Sequence, residues 1–199
     1  MTAVAFRIVR LQIQVRPMKV GKAPMREYRP EALQPVERIM ITPRGGEGAW
    51  RVDGAVQRAF DVHHQDHPLT RNPKGTAGVT VMGTGDYVEL RKQYGDHVAD
   101  GIAGESVLIE APEGLAEQPF PTEFKIITAD GVINFGQGRI AEPCVEFSRF
   151  CLRERPSPQV SDAVRRALVD LDNGHRGYRA AARDSGRIAI GDTVVLDLA

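Results

Sequence analysis

Between Val9 and Val15 apolar residues alternate one for one with polar ones: Val9, Leu11, Ile13 and Val15 against Arg10, Gln12 and Gln14. A side-chain period of two belongs to a strand with one face buried. The punctuation that follows constrains the fold further. Glycine (20) and proline (13) are scattered along the 199 residues, so apolar stretches stay short and end in turns. That pattern favours many short strands over long helices. Further strands are expected at Val36–Thr42, Val79–Met82, Val107–Ile109, Phe124–Thr128, Val132–Phe135, Gly138–Ile140, Tyr178–Arg183, Ile188–Ile190 and Thr193–Leu198. A turn is expected at Pro43-Arg44-Gly45-Gly46, and the polar stretch Phe60–Gly75 reads as a loop.

Two segments have helical spacing. After Gly83-Thr84-Gly85, residues Tyr87, Leu90, Arg91 and Tyr94 share one face, with Asp86 near the start, where it complements the helix dipole. Ser157-Pro158 is expected to open a second helix, with Val160, Val164, Ala167, Leu168 and Leu171 as its apolar stripe and Asn173-Gly174 as its end. The expected fold is one mainly β domain over residues 1–199 with a few helices. A closed or nearly closed β-barrel satisfies so many strands, because closure removes exposed edges.

Charge narrows the function classes. Lys plus Arg (26) equals Asp plus Glu (26), so no broad attraction to nucleic acid or to an anionic membrane is expected. No apolar run approaches 18 residues, and the N-terminus lacks the charged and apolar regions of a secretory signal. Two cysteines are too few for a disulfide scaffold, so a cytoplasmic setting is expected.

The sharpest chemical feature is Gly138-Arg139-Ile140-Ala141-Glu142-Pro143-Cys144. Pro143 biases Glu142 towards an extended conformation, so a strand is expected to deliver Cys144 at its end. Thiolate is the reactive and metal-binding form of cysteine, and Arg139, Arg149 and Arg153 lie close enough in sequence to supply a favouring positive field. The alternative for Cys144, as for Cys151 beside Phe150 and Leu152, is a buried thiol packing as a small hydrophobe. The loop Asp61-Val62-His63-His64-Gln65-Asp66-His67 offers metal or pterin ligands, or a plain polar surface. It lacks the glutamate of a His-Glu-x-x-His zinc motif, and a zinc hydrolase built on it is the weakest reading. Arg71-Asn72-Pro73-Lys74-Gly75-Thr76 joins two cations, a glycine and a hydroxyl, a set suited to a phosphate, without Walker spacing.

Four segments together resemble the MOSC (molybdenum cofactor sulfurase C-terminal) family. They are Gly101-Ile102-Ala103-Gly104-Glu105-Ser106-Val107, then Glu142-Pro143-Cys144, then Gly174-His175-Arg176-Gly177-Tyr178-Arg179, then Gly186-Arg187-Ile188-Ala189-Ile190-Gly191-Asp192-Thr193-Val194, in the family's order. Ser106 stands where the family usually has asparagine, and Phe60-Asp61-Val62-His63-His64 is a divergent form of its upstream motif. The resemblance implies a β-barrel that binds molybdenum cofactor (molybdopterin) or handles sulfur, with Cys144 as molybdenum ligand or sulfur carrier. It implies reduction of N–O bonds or sulfur transfer, with a redox partner or a cofactor-biosynthesis protein as the other party. Under it, His63, His64 and His67 lie near Cys144, Gly104 and Glu105 belong to the cofactor site, and Arg71, Lys74, Arg139 and Arg176 contact the pterin phosphate. The competing reading is a non-catalytic binding module with a structural Cys144.

Overall fold

The computed structural model describes residues 2–116 and 120–198. In chain order the strands are β1 (Thr2–Gln14), β2 (Lys19–Val20), β3 (Glu27–Tyr28), β4 (Leu33–Pro35), β5 (Arg38–Thr42), β6 (Gly45–Val52), β7 (Ala55–Phe60), β8 (Val79–Gly83), β9 (Val107–Ile109), β10 (Phe124–Thr128), β11 (Gly131–Ile140), β12 (Tyr178–Ala182), β13 (Gly186–Ala189) and β14 (Thr193–Leu198). The helices are α1 (Thr84–Tyr94), α2 (Val145–Leu152) and α3 (Asp162–Asp170).

Seven strands close into a barrel in the order β14-β10-β11-β12-β8-β9-β1, with β1 returning to β14. Every pairing in it is antiparallel except β8 with β9, which α1 and the following turns connect. Strand β1 is long enough to pair successively with β14, β9 and β4. A second sheet, β13-β5-β6-β7, and the small β2-β3 pair complete the architecture. Ile8, Leu11, Ile126, Phe135, Val194 and their neighbours fill the barrel. A separate cluster around Tyr87, Leu108, Phe147, Cys151 and Leu171 packs α1 and α2 onto its outer wall.

Several expectations need correction. A bulge between Ile8 and Arg10 shifts the alternation, so Val9 packs into the outer cluster while Ile8, Leu11 and Ile13 enter the barrel. Gln12 and Gln14 are buried rather than solvated. Gly45 and Gly46 belong to β6, not to a turn, and the β6–β7 hairpin escaped the sequence reading. Its signal was Asp53-Gly54, both with positive φ (49° and 83°), the usual chemistry of a two-residue hairpin turn. Gly48 hid the strand: a Cβ there would lie 2.8 Å from the Ile13 side chain, so close approach excludes the apolar residue that alternation looks for. Strand β11 is continuous through a bulge at Gln137 (φ 58°) rather than two strands.

Helix α2 was not expected, and α3 starts later than Ser157-Pro158 suggested. Its N-cap is Ser161, whose hydroxyl accepts the Val164 N–H at 3.2 Å. The carbonyls of Ser157 and Gln159 instead accept from the Arg149 guanidinium at 2.8 and 3.0 Å, which holds the segment outside the helix.

Candidate functional site

Strand β11 hands the chain to α2 through an extended tetrapeptide. The Ala141 N–H donates to Gly177 O at 2.9 Å, and Pro143 carries the backbone into Cys144 (φ −140°, ψ 152°), the N-cap of α2. Its thiol makes no capping hydrogen bond and remains half-buried on the wall of a cleft of about 260 Å³. Cys151, two helical turns further on, faces the outer cluster, and burial pushes its thiol up to about 12.

Distant segments build the cleft: Gln14 from β1, Met18, Lys19 and Tyr28 from the strap after it, His63 and Arg71 from the following loop, Thr80 from β8, Ala103 and Gly104 from the turn before β9, residues 141–144, and Arg176 and Arg179. Four cations (Lys19, Arg71, Arg176 and Arg179) face one carboxylate residue, Glu142, in a chain whose formal net charge is zero.

Arg176 is only 8% exposed. It donates to Glu142 O at 3.1 Å and to Ala103 O at 3.2 Å, and its guanidinium carbon lies 4.9 Å from the centroid of the Phe147 ring. Carbonyl partners leave its charge unneutralised, and its buried Nε has no acceptor. Burial opposes that charge, but Cys144 and Tyr28 more than offset burial and hold its pKa above the ordinary arginine value. Arg179 sits on β12 opposite Thr80 of β8 and Arg139 of β11. Burial, then the charges of Arg176 and Arg139, press its pKa down. Neither Arg71 nor Arg179 has a side-chain hydrogen bond or ion pair among the described residues. Lys19 does, lying 3.5 Å from Glu146.

The turn 101–105 forms the opposite wall. Gly104 has φ 88°, and a Cβ there would strike the Met18 methyl and lie 3.0 Å from Gln14 Nε2, so only glycine fits. Glu105, the next residue, does not line the cleft. It is 1% exposed behind the wall, with Tyr87 donating to its Oε2 at 2.6 Å.

The histidine loop divides. Asp61 accepts the Gln14 N–H at 2.7 Å and both the N–H and Nδ1 of His63 at 2.7 and 2.8 Å, so the His63 ring is fixed where it lines the cleft. His64 is buried, stacked on Phe60 with ring centroids 4.1 Å apart, and burial lowers its pKa. The His67 ring meets Val15 O at 3.3 Å and accepts the Leu69 N–H at 3.0 Å. The three imidazoles do not converge, and no group of three His, Cys, Asp or Glu suited to a metal ion occurs among the described residues. That geometry gives a zinc site on this loop no ligand set.

Lys74 and Arg139 lie outside the cleft lining, Arg139 being bonded to Thr76 O at 2.7 Å. Arg149 and Arg153 line a different cleft, so neither supplies the field expected at Cys144; Arg176 does. Gln14, Tyr28 and Arg179 escaped the sequence reading as site residues, and Asp61, expected as a ligand of the histidine loop, instead fixes the His63 ring. Arg179 had a signal, since it closes the third resembling segment. Gln14 and Tyr28 had none, because only the fold carries them to the cleft.

The YuaD protein from Bacillus subtilis has a similar solved structure, with a TM-score of 0.58 at 10% identity over 100% of this chain and 98% of that one. The structure of a hypothetical protein superposes with a TM-score of 0.55 at 11% identity, covering 97% and 68% of the two chains. At such identities the likeness shows the fold alone. No protein-family model matches the chain, and no curated protein matches it in sequence.

Proposed function

We propose that the chain is a MOSC-type protein whose cleft binds an anionic cofactor of the molybdopterin kind and presents Cys144 to it. One observation carries this reading. Three segments that resemble the family's motifs, at Gly104, at Pro143-Cys144 and at Arg176 to Arg179, are remote in sequence yet line one cleft. The fourth forms β13, the following turn and the start of β14, and none of its residues lines that cleft.

The residues fit such a cofactor chemically. A pterin that carries its own sulfur ligands needs one more soft donor from the protein and cations for its phosphate. Among the described residues the cleft offers one thiol, no competing ligand cluster, two guanidinia without acceptors and a buried Arg176 Nε with no acceptor. Cys144 would be the ligand or the sulfur carrier, and Arg71, Arg176 and Arg179 would hold the phosphate. Bound there, the cofactor would supply two-electron chemistry suited to N–O reduction, fed by a partner reductase, or would receive sulfur from a biosynthetic partner. The protein's own part is to hold the anion, aim the thiol, and fix the His63 ring through Asp61 as a hydrogen-bonding group at the reacting end.

The test is the molybdenum and pterin content of protein made in a host that synthesises the cofactor. Wild type is expected to carry both, and Cys144→Ala to keep pterin while losing most of the molybdenum. Protein that binds neither returns the chain to a non-catalytic module.

A further inference from the structure

Glu105 is buried and paired with no cation among the described residues. Its Oε2 accepts from Tyr87, its Oε1 has no partner, and it forms no ion pair among the described residues. The titratable and charged groups around it are Tyr87 from α1, Arg10 from β1, Asp100 from the preceding turn and Tyr28 from β3. Arg10 is engaged by Gln12 at 3.1 Å. Carboxyls in such places are held neutral, since desolvation penalises the charged form. Burial accordingly raises its pKa to about 7, with the Tyr87 hydrogen bond working in the other direction.

The same carboxyl anchors the wall of the cleft. Tyr87 Oη, which donates to Glu105, also accepts the Ala103 N–H at 3.0 Å. Every carbonyl from residue 101 to 105 is taken by a side chain from elsewhere: Gln12 on Gly101 and Glu105, Tyr28 on Ile102, Arg176 on Ala103, Gln14 on Gly104. Arg176 therefore hangs on the turn that Glu105 closes.

We propose that Glu105 gates anion binding in the cleft through its proton. With the proton on, the cleft keeps its full cation excess and binds an oxyanion beside Cys144. With the proton lost, a buried negative charge stands behind Arg176 and the Tyr87 anchor, and the oxyanion is held less well. The inference rests on the anion-binding reading of the cleft, and reciprocity adds a second signature: binding an anion near neutral pH draws a proton onto Glu105.

Sulfate is the probe, because its charge is constant across the range. Its affinity is measured calorimetrically at pH 6 and pH 8 in protein carrying His63→Gln, which removes the imidazole that lines the cleft. Affinity is expected to fall roughly fivefold between the two values, within the usual span of coupling between sites. Adding Glu105→Gln is expected to keep the pH 6 affinity at pH 8. Should that variant fold poorly, titrations at pH 7 in buffers of different ionisation heat read proton uptake in the protein with Glu105 intact, and net uptake is expected. An unchanged pH dependence in Glu105→Gln, or no uptake, overturns the gate while leaving the anion site standing. Sulfate binding at neither pH, with Arg179→Gln indistinguishable from its parent, removes the anion site and the gate together.

Discussion

Two arginine-rich clefts flank Tyr28, and they differ in how their charge is answered. The cleft of about 360 Å³ on the far side of α2 holds Arg26, Arg29, Arg149, Arg153 and Arg155, and of these only Arg155 has no side-chain hydrogen bond or ion pair among the described residues. Arg26 lies 2.9 Å from Glu146, Arg29 pairs with Glu27, and Arg153 donates to His97 Nδ1 at 3.3 Å. Arg149 is spread over the carbonyls of Pro24, Ser157 and Gln159. In the Cys144 cleft, Arg71 and Arg179 have no side-chain hydrogen bond or ion pair among the described residues, while Arg176, like Arg149, is held by carbonyls and keeps a buried Nε without an acceptor. Counting cations would rank the far cleft first. What separates a binding site from a structural clasp is the charge left unanswered, since a paired guanidinium has little left to offer a ligand.

Substitutions on the two sides should therefore behave oppositely. The largest effect is expected from Arg149→Ala, which removes a buried clasp between the Pro24 strap, α2 and the segment before α3. Loss of charged hydrogen bonds to three carbonyls should destabilise the fold by about 4 kcal/mol in denaturant unfolding. A cost under about 1 kcal/mol would erase the structural half of the contrast.

Next comes Glu105. Its folded pKa is raised, so the folded protein binds the proton more tightly than the unfolded chain does. Stability from this group is then fully present below the unfolded value of 4.5, falls as pH rises, and levels off above about 7. The loss over that window is roughly 3 kcal/mol. Unfolding curves from pH 4 to 8 should show this decline in wild type and a shallower one in Glu105→Gln; parallel curves would mean the carboxyl is not held neutral.

Arg179→Gln should cost about tenfold in sulfate affinity, or about 1.4 kcal/mol. Stability should hold or rise slightly, because the substitution relieves repulsion with Arg176 and Arg139. A variant that instead loses stability and keeps its affinity would make Arg179 a structural residue. The smallest effect belongs to Arg26→Gln, whose partly exposed pair with Glu146 should contribute under about 1 kcal/mol.

The fold was legible where pattern and punctuation agreed. Strands β8, β9 and β10 and helix α1 stand close to where alternation, helical spacing and turn residues put them. The β6–β7 hairpin was lost because Gly46 and Gly48 occupy positions that the side chains of Ile39 and Ile13 fill. The site was legible only in part. Cys144 announced itself through Pro143 and the resembling segments, and Arg176 through its place between Gly174 and Gly177. Gln14 has the pattern of the solvated half of a strand, but the chain after Phe60 folds over it through Asp61 and Val62. Lys74 and Arg139 matched the needed chemistry in type but not in place, since sequence proximity does not fix which way a loop faces.

The central claim, that Cys144 stands among unanswered cations, is tested most directly by its alkylation with two reagents of like size. Rates for anionic iodoacetate and neutral iodoacetamide at Cys144 are compared in wild type and in Arg71→Gln with Arg179→Gln, at one pH and low ionic strength. A cationic cleft concentrates the anion, so the iodoacetate-to-iodoacetamide ratio should exceed that of a small free thiol by about tenfold and fall back in the double variant. A ratio equal to that of the free thiol, unchanged by removing both arginines, would contradict the account.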